Sequence, residues 1–318
     1  MYDVTATGEL LIDFTRNGLS EQNNRIYEAN PGGAPCNVLA MLGKLGYKTA
    51  FIGKVGNDEF GKLLKNTITE QKIDASGLIL DPNAKTTLAF VDNDETGDRS
   101  FSFYRKPGAD MMLKEDEVNY KLIDNCRIFH FGSLSMTDEP VRSATYAMID
   151  YAKKKNKIIS FDPNLRPPLW ESEDLAAKQI WYGIEQCDIL KIADNEIEWL
   201  TGTDDYDKGI EIIRQRTHAK LINVTLGPNG SIAYYGDHKV FMEPYLNENT
   251  IETTGAGDTF GACALHAVLK NGLDNMTEED LKEMLQFANA AASLVTTKKG
   301  ALRVMPEEKE IKELIDKN

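Results

Sequence analysis

The sequence predicts an α/β protein with a mostly parallel central sheet covered by helices on both faces. Two observations predict it. From about Gly32 onward, apolar runs of strand length alternate with longer stretches of helical period, the pattern of strands joined by helical crossovers. The chain also has 318 residues, 42% of them hydrophobic, enough for one large packed domain with an accessory element.

In chain order, residues 34–45 read as a helix, with Pro35 near its start and Gly46 as its stop. Residues 49–52 follow as a short buried strand, and 58–71 as a helix. Apolar strands at 127–131 and 157–161 are separated by a helix over about 138–154. Further strands lie at 188–192, 220–225 and 231–235, and long helices at 257–269 and 278–296. Two stretches break the alternation. Residues 86–92 and 99–104 are strand-like and flank Asn93-Asp94-Glu95-Thr96-Gly97-Asp98, a β-hairpin with a polar turn. Residues 10–30 hold extended segments broken by Asn17-Gly18 and Asn23-Asn24. These pieces form either an edge hairpin of the main sheet or a small separate sheet, a lid made of about 10–30 and 86–105 that closes over a ligand.

Lys and Arg number 36 against 50 Asp and Glu, a net charge of −14. That field repels a polyphosphate, so a nucleic-acid partner is not expected. Small anions remain admissible, because backbone N–H groups and a few arginines bind phosphate locally. Cys36, Cys126, Cys187 and Cys263 lie far apart with no CxxC pair, which suits free buried thiols in a reducing cytoplasm. The start lacks a basic and apolar leader pattern, and no apolar run approaches the ~20 residues of a membrane span. The expectation is a soluble cytoplasmic protein with no membrane partner.

The most informative run is Thr253-Thr254-Gly255-Ala256-Gly257-Asp258-Thr259-Phe260, ahead of an apolar helical stretch. Glycines at a helix mouth let backbone approach a ligand, and first-turn N–H groups lack intrahelical partners. With the helix dipole they make a site for phosphate oxygens. Asp258 is out of place in a simple anion loop. It is either an N-cap or a base facing a hydroxyl beside a phosphate in transfer. The run is neither a Walker A loop nor Gly-x-Gly-x-x-Gly.

The run resembles the C-terminal motif of the PfkB (ribokinase-like) carbohydrate kinases, and the resemblance spans nearly the whole chain. Pro31-Gly32-Gly33-Ala34-Pro35-Cys36-Asn37-Val38 looks like the family's di-glycine motif, Asn195-Glu196-Ile197-Glu198 like its Asn-x-x-Glu motif, and Thr225-Leu226-Gly227-Pro228-Asn229-Gly230 like its nucleotide-binding strand and turn. The resemblance implies a ribokinase-like three-layer αβα fold with a β-sheet lid, carrying ATP and Mg²⁺. It makes Asp258 the catalytic base and the amides of Gly255, Ala256 and Gly257 the anion hole. Asn195 and Glu198, at i and i+3, then organise the metal's water shell. Thr225, Gly227 and Gly230 shape the nucleotide turn, and Asn289 matches the position beside adenine. Asp162-Pro-Asn164-Leu-Arg166 follows a strand and resembles the fructokinase and 2-keto-3-deoxygluconate kinase branch, with Asp162 and Asn164 near phosphate or metal and Arg166 on an anionic group.

For the sugar, the resemblance implies Asp13 on hydroxyls, Gly32 and Gly33 in close backbone approach, and Asn37 supplying an amide. Phe103 and Arg105, in a run closer to fructokinases than to ribokinases, complete the expected substrate set; Phe101 and Phe103 cap the sugar or fill a lid core. Many relatives bind a monovalent cation such as K⁺, and the strongly cation-binding branch tends to have Asp where this chain has Glu252. The four histidines join no metal pattern. The expected activity is phosphorylation of a sugar's primary hydroxyl, fructose to fructose 6-phosphate, by a homodimer joined through the lid. The rivals are a kinase for 2-keto-3-deoxygluconate or ribose, a non-catalytic regulatory relative, and a dehydrogenase, which would need an N-terminal Gly-x-Gly-x-x-Gly the chain lacks.

Overall fold

A computed structural model describes residues 1–93 and 99–317. In chain order its strands are β1 (Val4–Thr7), β2 (Leu11–Leu19), β3 (Arg25–Gly32), β4 (Thr49–Gly56), β5 (Ile73–Asp81), β6 (Leu88–Asn93), β7 (Arg99–Tyr104), β8 (Ile128–Gly132), β9 (Ile158–Asp162), β10 (Ile189–Ala193), β11 (Leu221–Thr225), β12 (Ser231–Tyr235) and β13 (His238–Met242). Nine form one sheet in the order β13-β12-β11-β10-β9-β8-β1-β4-β5. Every pairing from β11 across to β5 is parallel. β12 and β13 finish the edge antiparallel.

Successive residues of a strand face opposite layers, and β4 shows what that builds. Phe51 packs with the helices Ala34–Lys44, Ala256–Asn271 and Glu278–Val295. Its neighbours Ala50 and Ile52 pack with Val141–Lys154 and Glu173–Gln186 on the other face. The result is the expected three layers. Each fully buried side chain of this size contributes about 1.5–3 kcal/mol.

The chain leaves β1 toward β4 on one side and later returns to place β8 on the other. Such a switch point opens a crevice at the carboxyl ends of the strands. The segments after β1, β8, β9 and β10 all emerge along that edge.

β2, β3, β6 and β7 form a separate four-stranded sheet, ordered β3-β2-β6-β7. β2 pairs with β6 in parallel, Ile12 opposite Leu88, so the 86–104 hairpin joins the 10–30 segment instead of extending the main sheet. Phe14 stacks on Phe90 at 4.9 Å, with Tyr27 and Tyr104 edge-on to Phe90, each at 5.5 Å. Asp58 ties this sheet to the main layer. Its Oδ1 accepts from Gly61 N–H at 2.8 Å as a helix cap, and its Oδ2 from Thr86 N–H at 2.9 Å just before β6. Asp94 to Asp98 of the expected turn, and the side chain of Phe101, lie outside the described residues.

β1, β5, β13 and the second half of β4 were not legible as strands. β1 is Val-Thr-Ala-Thr, buried throughout; at four residues, two of them threonine, it forms no apolar run long enough to read as a strand. β13 is a mostly polar edge strand set by its register with β12.

Candidate active site

Two cavities share a wall at the crevice. One, of about 430 Å³, lies between the small sheet, the segments after β1 and β9, and the start of the Ala256–Asn271 helix. The other, about 500 Å³, lies between the β10, β11 and β12 ends and the Ala256–Asn271 and Glu278–Val295 helices. Both are of ligand-binding size.

The helix mouth is built as its sequence predicts. Gly255 is the N-cap with φ +79°, a left-handed conformation that favours glycine. A Cβ there would also come within 2.5 Å of the Ala301 Cβ. No side chain caps this helix. Asp258 instead lies in the first turn, 8% exposed, its Oδ2 accepting from Asn37 Nδ2–H at 2.7 Å. Of the two readings of Asp258, the cap is therefore excluded. Burial raises its carboxyl above the ordinary range, against the Asn37 hydrogen bond and the charges of Lys191 and Arg166. Gly255, Gly257 and Asp258 line the first cavity, and Ala256 and Gly257 the second.

Asp13, Gly32, Gly33, Asn37, Phe103, Asn164 and Arg166 all line the first cavity. Asp13 faces Gly32 so closely that a Cβ on Gly32 would fall 2.5 Å from its Oδ2. Burial pushes the Asp13 carboxyl up to about 7, against the pull of Arg166. Gly33 has φ +133°, and a Cβ would strike the Glu9 carbonyl oxygen at 2.4 Å. Asn37 is 4% exposed and its Oδ1 has no hydrogen-bond partner. A buried acceptor left open at a cavity wall is a place for a ligand hydroxyl.

Thr225, Gly227, Gly230 and Asn289 line the second cavity. Gly227 (φ +54°) meets open space, whereas a Cβ on Gly230 (φ +96°) would lie 2.2 Å from the Met242 carbonyl oxygen. The Asn289 amide is already engaged. Its Oδ1 accepts from Ser231 Oγ–H at 2.8 Å, and its Nδ2 donates to the Met242 and Glu243 carbonyls at 3.2 and 2.9 Å. It shapes the wall, with its polar atoms turned to β12 and the end of β13.

Four expected residues, Arg105, Asp162, Asn195 and Glu198, line neither cavity; Asp162 is 4% exposed and paired with Lys191. Arg105 is 4% exposed and stands behind the cavity wall. Its Nε donates to Asp110 at 2.7 Å, Nη1 to Thr137 at 3.1 Å and Nη2 to the Leu134 carbonyl at 2.8 Å; Leu134 itself lines the cavity. Pairing with Asp110 within the fold withdraws Arg105 from the direct substrate contact expected of it. Asn195 and Glu198 are exposed at the start of the Asp194–Thr201 helix and line neither cavity. The carboxylate turned inward there is Glu196, accepting from Leu165 N–H at 2.7 Å and Ala193 N–H at 2.8 Å.

Sequence reasoning missed Lys191 and Glu9. Lys191 stands alone in an apolar strand and was readable as an anomaly. It is 9% exposed and ion-paired to Asp162 at 3.1 Å. Burial pulls its ammonium down, but Asp162, Glu196 and Asp258 more than offset this and its pKa is raised. Asp162 is itself raised by burial, although Lys191 opposes it. Glu9, 4% exposed, accepts from Ala34 N–H at 2.8 Å, and burial pushes its carboxyl up to about 7.

Among the described residues no group of three His, Cys, Asp or Glu side chains can cage a metal. Asp194 lies on the wall of the second cavity.

A carboxylate beside outward-facing helix amides, between a polar cavity and a second cavity over glycine turns, defines a phosphoryl-transfer enzyme with an alcohol acceptor. Known proteins agree. The pfkB family carbohydrate kinase model matches residues 1–308. Probable fructokinase-2 of Arabidopsis thaliana is 41% identical over 305 residues, covering 95% of this chain and 92% of its own. The ATP-bound fructokinase of Xylella fastidiosa superposes with a TM-score of 0.90 at 29% identity, covering 100% and 99% of the two chains. A double mutant of the Vibrio cholerae O395 fructokinase, in fructose, ADP and potassium ion bound form, does so with 0.89 at 30% identity, covering 99% and 98%. The chain belongs to the pfkB family of carbohydrate kinases.

Proposed function

We propose that this chain is an ATP-dependent fructokinase that transfers the γ-phosphoryl group to the 6-hydroxyl of fructose, with Asp258 as the general base. The observation that carries the reading is the position of Asp258, uncapping and buried, on the wall of the polar cavity where the helix amides open. Asn37 donates to one carboxylate oxygen and holds the group in place. Asp258 accepts the hydroxyl proton while the amides of Gly255, Ala256 and Gly257 meet the charge on the moving phosphoryl oxygens. Mg²⁺, when bound, would neutralise charge on the nucleotide phosphates; Asp194 on the cavity wall, with Asn195 and Glu198 of the same helix, would hold its water. Asp13 and the open Asn37 oxygen take sugar hydroxyls, and Phe103 covers an apolar face.

A sugar acid fits this site poorly. Glu9, Asp13, Glu252 and Asp258 line the cavity against two cations, Arg166 and the Asp162-paired Lys191, and Arg105 is committed to Asp110. Four carboxylates disfavour another, which supports a neutral ketose over 2-keto-3-deoxygluconate. A coupled ADP-release assay over fructose, ribose, glucose and 2-keto-3-deoxygluconate is expected to give the highest kcat/KM with fructose. A higher value for any other sugar overturns the substrate assignment.

Three further parts belong to this reading. The small sheet serves as a lid over the sugar, and half-exposed Leu19 and Ile26 on it suit pairing with a second copy. A monovalent cation would use the Glu252 carboxylate, buried beside the anion hole and accepting from Gly300 N–H at 2.8 Å. All four cysteines are free and buried, which suits a reducing compartment such as the cytoplasm; no helix among the described residues is long and apolar enough to cross a membrane.

A further inference from the structure

We propose that Lys191 is a catalytic residue of the transfer step, the cation that meets the γ-phosphoryl group as it passes from the nucleotide cavity to the sugar cavity. The proposal rests on the kinase reading above and names a residue beyond the base and the anion hole. Three described residues line both cavities, Lys191, Thr253 and Gly257, and Lys191 is the charged one. It is also the only cation among the described residues lining the nucleotide cavity. Arg166, the other cation of the sugar cavity, reaches that side alone.

Its surroundings show a group held ready for an anion. A Cβ built on Gly257 would lie 3.1 Å from the Lys191 Nζ, so the ammonium rests against the first turn of the helix. That end carries the positive pole of the helix dipole, which disfavours a cation and favours an anion between the two. The hydrogen bond and ion pair of Lys191 run to Asp162, at 3.2 and 3.1 Å. Lys54, also buried, gives the contrast. Its ammonium donates to both Glu117 oxygens at 2.7 and 2.6 Å and to the Met112 carbonyl at 2.9 Å, the saturated pattern of a structural lysine. An ammonium has three donors, and Lys191 shares its own with a single carboxylate.

In the step itself, the fructose hydroxyl oxygen forms a bond to the γ-phosphorus and the bond from that phosphorus to the β–γ bridging oxygen breaks. The electron pair leaves on ADP, and the hydroxyl proton goes to Asp258. Lys191 forms and breaks no covalent bond. It donates hydrogen bonds to γ-phosphoryl oxygens through the transfer, and Asp162 keeps it charged and aimed.

The test uses the full chain with Lys191→Met, Lys191→Arg and the double variant Lys191→Met/Asp162→Asn. The double variant removes both charges, so that no lone carboxylate is left buried; its melting temperature verifies folding. Affinities for ADP and for the β,γ-imido analogue of ATP are measured by calorimetry, and kcat and KM by ADP release. In the two methionine variants ADP affinity is expected to stay within about threefold. The preference for the analogue over ADP should fall by about tenfold or more, and kcat by about 10²–10³-fold, with the KM for fructose little changed. Lys191→Arg should restore part of both. An unchanged analogue-to-ADP ratio in the folded double variant overturns the proposal, even if kcat falls, because a merely structural lysine would leave that ratio alone. The ratio involves no sugar. Failure of the wild type on fructose therefore counts against the substrate assignment and leaves this test standing.

Discussion

Replacing Asp258 by Asn isolates the proton-accepting role at nearly constant shape. The amide is isosteric, and its Oδ1 can still accept from Asn37 Nδ2–H, which now reaches Asp258 Oδ2 at 2.7 Å. The helix amides, the Gly255 turn and the nucleotide cavity are untouched. A positioned base is worth about 10²–10⁴ in rate, and each tenfold is about 1.36 kcal/mol, so the barrier should rise by roughly 3–5 kcal/mol. Stability should move the other way. The folded protein raises the Asp258 pKa through burial, so its stability contribution is complete below the unfolded value and is lost as pH rises through the folded one. Above its raised folded pKa the wild type therefore carries a buried carboxylate that the amide variant lacks, and there the variant should melt at an equal or higher temperature. In the wild type, kcat should decline on the acid side from a pH above the ordinary carboxylate range, a limb absent from the variant's residual rate. ADP release with saturating fructose and ATP, paired with calorimetric ATP binding, measures all of this. A variant that binds ATP normally and turns over within tenfold of wild type would refute the general-base assignment.

Four other outcomes follow from the geometry. Gly255→Ala forces an L side chain into φ +79° against Ala301, costing about 1–2 kcal/mol from the backbone alone; thermal melting should show the loss, with a lower kcat as the amides shift. Asp13→Asn removes a carboxyl raised to about 7. Since wild-type stability from this group is lost between pH ~4 and ~7, the variant's unfolding free energy should fall less over that window, and parallel pH profiles would contradict the burial argument. Arg105→Met should lower stability by about 3–5 kcal/mol by leaving Asp110 buried and unpaired; a raised KM for fructose at unchanged stability would return Arg105 to the substrate. Glu198→Gln should raise the Mg²⁺ concentration needed for half-maximal rate, and an unchanged metal titration would remove Glu198 from the water shell.

The layered architecture and the backbone shape of the helix mouth follow from local sequence. Alternating apolar runs require a covered sheet, and Gly255-Ala256-Gly257-Asp258 carries its conformational demand and its carboxylate in four consecutive residues. The di-glycine turn, Asp13 and Asn37 were expected from the family resemblance, not from local shape, and all of them line the first cavity. Tertiary structure alone decided which polar groups face the crevice. Lys191 is a single cation in an apolar strand and Arg105 adjoins Lys106, and nothing in either local sequence tells a structural pair from a site residue. Arg105 turns to Asp110 because the bend after β7 brings that carboxylate within 2.7 Å. Lys191 reaches the seam of the two cavities because β9 and β10 run parallel, and Asp162 ends the strand beside it. A buried charge is oriented by the partner that offsets its lost hydration, and that partner is supplied by the fold, often from far along the chain.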